Sequence, residues 1–329
     1  MHNRMYNTKS TVEAGVITGL LVILALMNIY LPIFSTLGRF ILPIPVAVLL
    51  LRHNLKVTIT SVVASGILVG FIYNPLSGLT SAIMFGMTGI ALGYCIKKDK
   101  NVSISIFALA ISSLIGTIID ITVYILLISK STVVGFVDEM VKIMNESLQS
   151  VISMYSQMGI SEEKLKPLID SFKLFNTDFI IKIIPGILIM SSIIFAYFTY
   201  NITRVILKRL NYNMREMPKF THIHVNIKIA TIVAVALLIG VILVRQNIKI
   251  GEYILNSSQL ILQYIFLFNG LSVAIYYLRI KYKLSKTISL FIIIFTLFSQ
   301  FAMVYIMLGI SDIIIDFRKI DKNRIVNNK

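Results

Sequence analysis

Residues 102–128 read VSISIFALAISSLIGTIIDITVYILLI, and the one acidic or basic side chain among them is Asp120. A helix of that stretch is about 40 Å long at 1.5 Å per residue, more than the ~30 Å hydrocarbon core of a bilayer. Its polar groups are few and aligned. Ser113, Thr117, Asp120 and Tyr124 recur every three or four residues and share one face. A carboxylate on such a stripe is costly in lipid, so the stripe is expected to face a bundle interior or a wet cavity. These four residues form the candidate ligand-binding set. The functional reading of Asp120 is a carboxylate that binds a ligand or cation, or carries protons. The structural reading is an acid that is protonated or paired with a polar group of another helix.

The same oily character repeats along the chain. Further apolar stretches run over 12–34, 39–51, 57–73, 76–96, 179–203, 226–244, 253–278 and 286–310. The expected fold class is therefore an all-α integral membrane protein, a bundle of eight or nine transmembrane helices. The 39–51 stretch is short and carries Pro43 and Pro45, so a tilted, broken or partly inserted helix is expected there. Composition agrees: hydrophobic residues make up 57% of the 329 positions and charged residues 14%, well under the quarter typical of soluble domains.

The charge balance is 31 Lys and Arg against 15 Asp and Glu, a net of +16. In a soluble chain this would point to nucleic acid. Here the basic residues sit in short connections between spans, and no basic aromatic platform accompanies them, so nucleic acid is not expected as a partner. With a cytoplasmic N-terminus, alternation places Arg52, Lys56, Lys97, Lys98, Lys100, Arg204, Lys208, Arg209, Arg215, Lys219, Arg279, Lys281 and Lys283 inside. Only Arg39, Arg245 and Lys249 then fall in short outer loops, which satisfies the positive-inside rule. Nine spans would put the basic end of the chain (Arg318, Lys319, Lys322, Arg324, Lys329) outside; eight remove that conflict only if the miscounted helix lies late in the chain.

Four regions are expected. Residues 1–210 form a six-segment transmembrane core that includes an extracytoplasmic amphipathic helical insert at 130–177. Residues 211–225 are a basic cytoplasmic loop, 226–312 carry additional transmembrane helices, and 313–329 form a basic tail. In the insert, Val137, Met140, Met144, Leu148, Val151, Tyr155 and Met158 recur at helical spacing. Ser161-Glu162-Glu163 reads as a helix start. Residues 138–178 are net negative through Asp138, Glu139, Glu146, Glu162, Glu163, Asp170 and Asp178. The insert reads as a cap over the bundle, a helix pair resting on lipid, or a lid over a cavity.

Catalytic and metal chemistry find no footing. The single cysteine, Cys95, rules out an intrachain disulfide, and the pair His222 and His224 reads as exposed loop histidines without enough neighbouring ligands for a metal. No P-loop, zincin pair or nucleophile elbow is present, so no catalytic residue, metal or cofactor is assigned. Asn28, Asn201, Gln263, Asn269 and Gln300 read as interhelical hydrogen-bonding groups, and Glu13 as a helix-start acid. Small residues at spacing four occur at Gly15 and Gly19, Gly66 and Gly70, and Gly89 and Gly93. Such pairs let helices approach closely, within the chain or against a partner.

Two stretches carry a family resemblance: Ile206-Leu-Lys-Arg-Leu-Asn-Tyr, leading through Met217-Pro-Lys-Phe220, and Leu308-Gly-Ile-Ser-Asp-Ile-Ile-Ile-Asp-Phe-Arg-Lys319. With the span layout and the insert, they resemble the YybS-like family of bacterial multispanning membrane proteins over nearly the whole chain. The first six segments are distantly similar to the S component of energy-coupling-factor transporters. They share a first span with small residues, a short proline-containing second segment, and Asn74-Pro75 opening a glycine-rich span that ends in Lys97-Lys98. That likeness implies an S-component-like six-helix core, a small-molecule ligand, a membrane coupling subunit and a cytoplasmic ATPase as partners beside the lipid bilayer. S components dock their coupling subunit through Ala-x-x-x-Ala on the first helix. This chain departs from it, with Ala14 followed by Thr18 and Gly15 by Gly19, and its last three spans lie outside that core. The opposing reading is a scaffold or regulator acting through its basic cytoplasmic loops.

Overall fold

The computed structural model describes residues 2–297 and 301–320. Lys322, Arg324, Lys329 and Gln300 lie outside the described residues. Thirteen α-helices are found among those described: α1 (His2–Tyr30), α2 (Pro32–Ile41), α3 (Pro43–Arg52), α4 (Leu55–Ile72), α5 (Pro75–Lys97), α6 (Val102–Val123), α7 (Val133–Gln157), α8 (Glu162–Lys173), α9 (Thr177–Arg209), α10 (Ile227–Arg245), α11 (Ile250–Tyr276), α12 (Lys286–Leu297) and α13 (Ala302–Ile315). Among the described residues eight segments are long and apolar enough to cross a bilayer, and α12 with α13 pass the same test only as a pair inclined by 110°. The chain is a multispanning all-α membrane protein.

Helix boundaries follow local chemistry. Pro32, Pro43 and Pro75 each open a helix, where a missing N–H costs nothing. The side chains of Asn54, Asn74 and Asn226 cap α4, α5 and α10 by accepting from Val57 N (2.9 Å), Ser77 N (2.8 Å) and Lys228 N (2.9 Å). The proline-rich second segment differs from expectation in length. Pro32 ends the first helix, so α2 and α3 together run Pro32–Arg52 and are long enough to cross. The break expected within this segment falls at Leu42, where Pro43 has no N–H to continue the ladder.

The chain divides into two compact units. The first comprises residues 1–139 and 191–217, the second residues 140–190 and 218–329. In the first, α3 is the enclosed helix: Ile44, Val46, Ala47 and Leu49 are all buried. Glycines of α5 make this possible. A Cβ added to Gly89 would stand 2.6 Å from the Pro43 carbonyl oxygen, and one on Gly93 3.0 Å from that of Ala47. Packing that close is how helices hold together where lipid gives them no hydrophobic incentive to associate.

In the second unit, α7 and α8 pack through Leu148, Ile152 and Leu165, with Tyr155, Ile169 and Phe172 around them. The amphipathic helix pair expected in the insert is present, and α8 begins at Glu162. The face turned to α8 uses Ile152 rather than Val151, while Met140, Val151, Met154 and Met158 form an exposed stripe. Pro185 lies inside α9, and the Ser257 hydroxyl of α11 sits beside that turn. It accepts from Gly186 N and donates to Lys182 O, both at 3.1 Å.

Candidate functional site

The stripe on α6 runs from the interior to the surface. Ser113 is buried, Thr117 and Asp120 are half-buried, and Tyr124 is 45% exposed with its ring edge against Phe136 (centroids 5.6 Å apart). Among the described residues the Asp120 carboxylate has no hydrogen-bond or ion-pair partner, while its backbone carbonyl accepts from Tyr124 N. A cavity does exist within this unit, lined by Leu21, Val46, Val62, Ser65, Val69 and Phe85 of α1, α3, α4 and α5. It measures about 20 Å³, room for roughly one water. None of the four stripe residues lines it.

The small residues of α1 and α5 behave differently. Gly89 and Gly93 close against α3, as described. Around Gly15 and Gly19 nothing lies within 4 Å of where a Cβ would be. Ala14 is half-buried, and its carbonyl accepts from the buried Thr18 hydroxyl at 2.7 Å, a bond within the helix. Glu13 has a role beyond its helix start: its carboxylate meets His53 Nε2 at 2.9 Å.

The densest polar geometry lies in the second unit, around a residue of the expected basic tail. Arg318, just beyond the end of α13, is buried. Its Nη2 and Nε donate to Asp312 Oδ2 (2.8 Å) and Oδ1 (3.3 Å). Nη1 donates to Ser272 Oγ (2.6 Å) and Thr221 O (3.1 Å). Nη2 also reaches Asn269 Oδ1 and Ile223 O, each at 3.1 Å. Asn269 returns its Nδ2 to Asp312 Oδ2 (3.1 Å) and to Gly309 O (3.0 Å). Ser272 donates to Phe220 O (2.6 Å) and Ile223 O (2.9 Å). The Asn269 and Asp312 side chains, like Arg318, are shut off from solvent, so their charge is tolerable only because it is paired and bonded throughout.

Two glycines admit this cluster. Gly270 of α11 and Gly309 of α13 face one another at the helix crossing. A Cβ on either would strike the partner's backbone, at the Tyr305 or Phe266 carbonyl oxygen. His224 also belongs here and corrects the reading of exposed loop histidines. Its buried Nδ1 lies 3.6 Å from Asp312 Oδ2, within ion-pair distance but beyond hydrogen-bond reach, and makes no hydrogen bond among the described residues. His222 is exposed, with Nδ1 2.9 Å from the Thr221 hydroxyl. Asn269 is the interhelical group the sequence indicated. The glycine beside it, and Gly309 three residues before Asp312, were the available signals for the rest.

The first unit has its own ordered basic edge. After α9 ends at Arg209, residues 210–217 have no helix, yet they are tied down. Arg215 donates to both Asp99 oxygens, at 2.9 and 2.7 Å, and also bonds Asn101. Tyr200 donates its hydroxyl to Arg215 O at 2.9 Å, and Asn201 Nδ2 lies 3.1 Å from Met217 Sδ. Arg204 pairs with Glu216. Hydrogen bonding to Arg215 holds the Asp99 carboxyl below its usual 3.8. Arg52, Lys56, Lys98, Lys100, Lys208 and Arg209 of this unit are left exposed.

Comparison with known proteins places these features in a family. No solved structure matches the chain. It is similar to the uncharacterized protein YybS of Bacillus subtilis (strain 168), with 25% identity over 284 residues covering 84% of this chain and 87% of that protein. The family model described as "Predicted membrane protein (DUF2232)" matches residues 19–313, a range holding α2–α12, most of α13 and every residue of the buried cluster except Arg318. By that match, the chain belongs to the DUF2232 family of membrane proteins.

Proposed function

We propose that this protein is a membrane scaffold or regulator that engages an acidic partner through a basic cytoplasmic face, with its N-terminus inside. The observation that carries this reading is the restraint of 210–217 by Arg215, Tyr200 and Asn201. Beside that restrained segment the lysines and arginines of the first unit stand free of the core. An irregular loop normally moves. One that is bonded in place and basic is built to present a surface. The reach of that charge through the aqueous phase is about 8 Å at physiological salt, so recognition is by contact.

The test is photo-crosslinking in cells from position 210, where Leu210 is exposed beside the basic residues. Wild type is expected to give a discrete adduct. The Lys98→Ser, Lys208→Ser, Arg209→Ser variant, at equal expression, is expected to lose at least most of it. An unchanged adduct overturns the reading.

A second reading keeps the S-component likeness: a transport-related, small-solute-binding core with Asp120 at its site, coupled to a membrane subunit and an ATPase. The specific observation favouring it is the half-buried Asp120 carboxylate without a partner among the described residues. Solute-dependent thermal stabilisation that Asp120→Asn abolishes would support it. No stabilisation across vitamins and metabolites would dismiss it.

A further inference from the structure

We infer that α12 and α13 form a re-entrant hairpin that opens on the same membrane side as residues 218–226, so the chain crosses the bilayer eight times. The contacts that fix this arrangement all lie within the second unit. α10 and α11 form an antiparallel pair around the turn at 246–249: a Cβ on Gly251 would touch Val244 N at 2.7 Å, and one on Gly240 would touch Leu255 N at 2.6 Å. The start of α10 and the end of α11 therefore share the opposite end. Ser272 confirms this level, since its hydroxyl bonds the carbonyls of Phe220 and Ile223, just before α10 begins.

Arg318 reaches that same level. It bonds Ser272 Oγ and the carbonyls of Thr221 and Ile223. The chain also leaves for α12 from this end, because Ser272 lies in the final turns of α11, which ends at Tyr276. So α12 departs from, and α13 returns to, one end of the α10–α11 pair. Had the two helices made one crossing, Arg318 would sit about 30 Å away, near 246–249. The return is packed: the hydroxyls of Thr296 on α12 and Tyr305 on α13 meet, and Ile293 and Tyr305 are buried together against Leu271.

Charge agrees independently. A hairpin keeps Arg279, Lys281, Lys283, Lys286 and Lys319 on one side, where a ninth crossing would split them. The polar end of α13 need not be stabilised by water, because Asn269, Ser272 and two carbonyls surround it.

The test is cysteine accessibility in a Cys95→Ala background, with a membrane-impermeant maleimide on intact cells and on inverted vesicles. The sites are Lys219→Cys, Asn247→Cys, Lys283→Cys and Lys319→Cys, all exposed in the native chain. Lys219→Cys, Lys283→Cys and Lys319→Cys are expected to label from one side and Asn247→Cys from the other. Lys319→Cys labelling together with Asn247→Cys overturns the hairpin. A protease-cleavable tag fused after Lys329 reads the same side if Lys319→Cys fails to accumulate. The outcome does not depend on which side is cytoplasmic, so it stands apart from the proposed function.

Discussion

Arg318 donates to both carboxylate oxygens of Asp312, six residues earlier in the chain, with neither side chain reaching solvent. Removing one member strands the other charge. Arg318→Met or Asp312→Leu should each cost about 3–5 kcal/mol, whereas the double replacement should cost much less than their sum. Thermal unfolding of the purified protein in detergent, arranged as a double-mutant cycle, checks this. Additive losses would show that the two groups act separately.

The glycine crossing makes a sharper steric forecast. Gly270→Ala or Gly309→Ala puts a methyl into opposing backbone that has no flexible end to yield, and should destabilise by about 1–3 kcal/mol. Gly15→Ala and Gly19→Ala meet open space and should be neutral or stabilise α1 by up to ~1 kcal/mol through helix propensity. Melting temperatures of the four variants should fall into these two groups.

Ser257 offers a milder test. Its hydroxyl serves both Gly186 N and Lys182 O beside Pro185, so Ser257→Ala should cost about 1 kcal/mol. Hydrogen exchange around 182–186 should rise, while exchange in α13 should not.

Acid should loosen the 210–217 segment. Asp99 titrates below 3.8 when folded because Arg215 holds its ionised form. A depressed carboxylate contributes stability above its unfolded value and loses it as pH falls through the folded one. Protection of amides near Arg215, taken relative to their intrinsic exchange at each pH, should therefore hold at neutral pH and fall away below about 3.8. Asp99→Asn should show the weaker protection at every pH, and an unaltered profile in that variant would remove Asp99 from the account.

The spans were legible because a bilayer demands about twenty consecutive apolar residues, a signal carried by each segment alone. The Pro32–Arg52 segment was read too short because Pro32 stops α1 within an unbroken apolar run. The amphipathic insert was legible from its 3.6-residue period, although which apolar stripe meets α8 depends on where α8 docks. By sequence Arg318 belongs to a basic tail. Its partner carbonyl on Thr221 is 97 positions away, and nothing around Arg318 announces that the chain turns back. Asp312 was visible only as part of a familiar stretch. Spacing puts the Ser113, Thr117, Asp120 and Tyr124 stripe on one face, but it cannot say how far that face turns outward at Tyr124.

The enclosure of α3 has a temporal side. Its partner α5 emerges from the ribosome only after α4, and translation from Arg52 to Lys97 takes roughly 2–9 s at typical rates. Throughout that interval the notches at Gly89 and Gly93 do not yet exist to receive α3. The earliest membrane intermediate must therefore shelter α3 with lipid, an insertase or α1 alone, and final assembly waits on the fifth helix to be made.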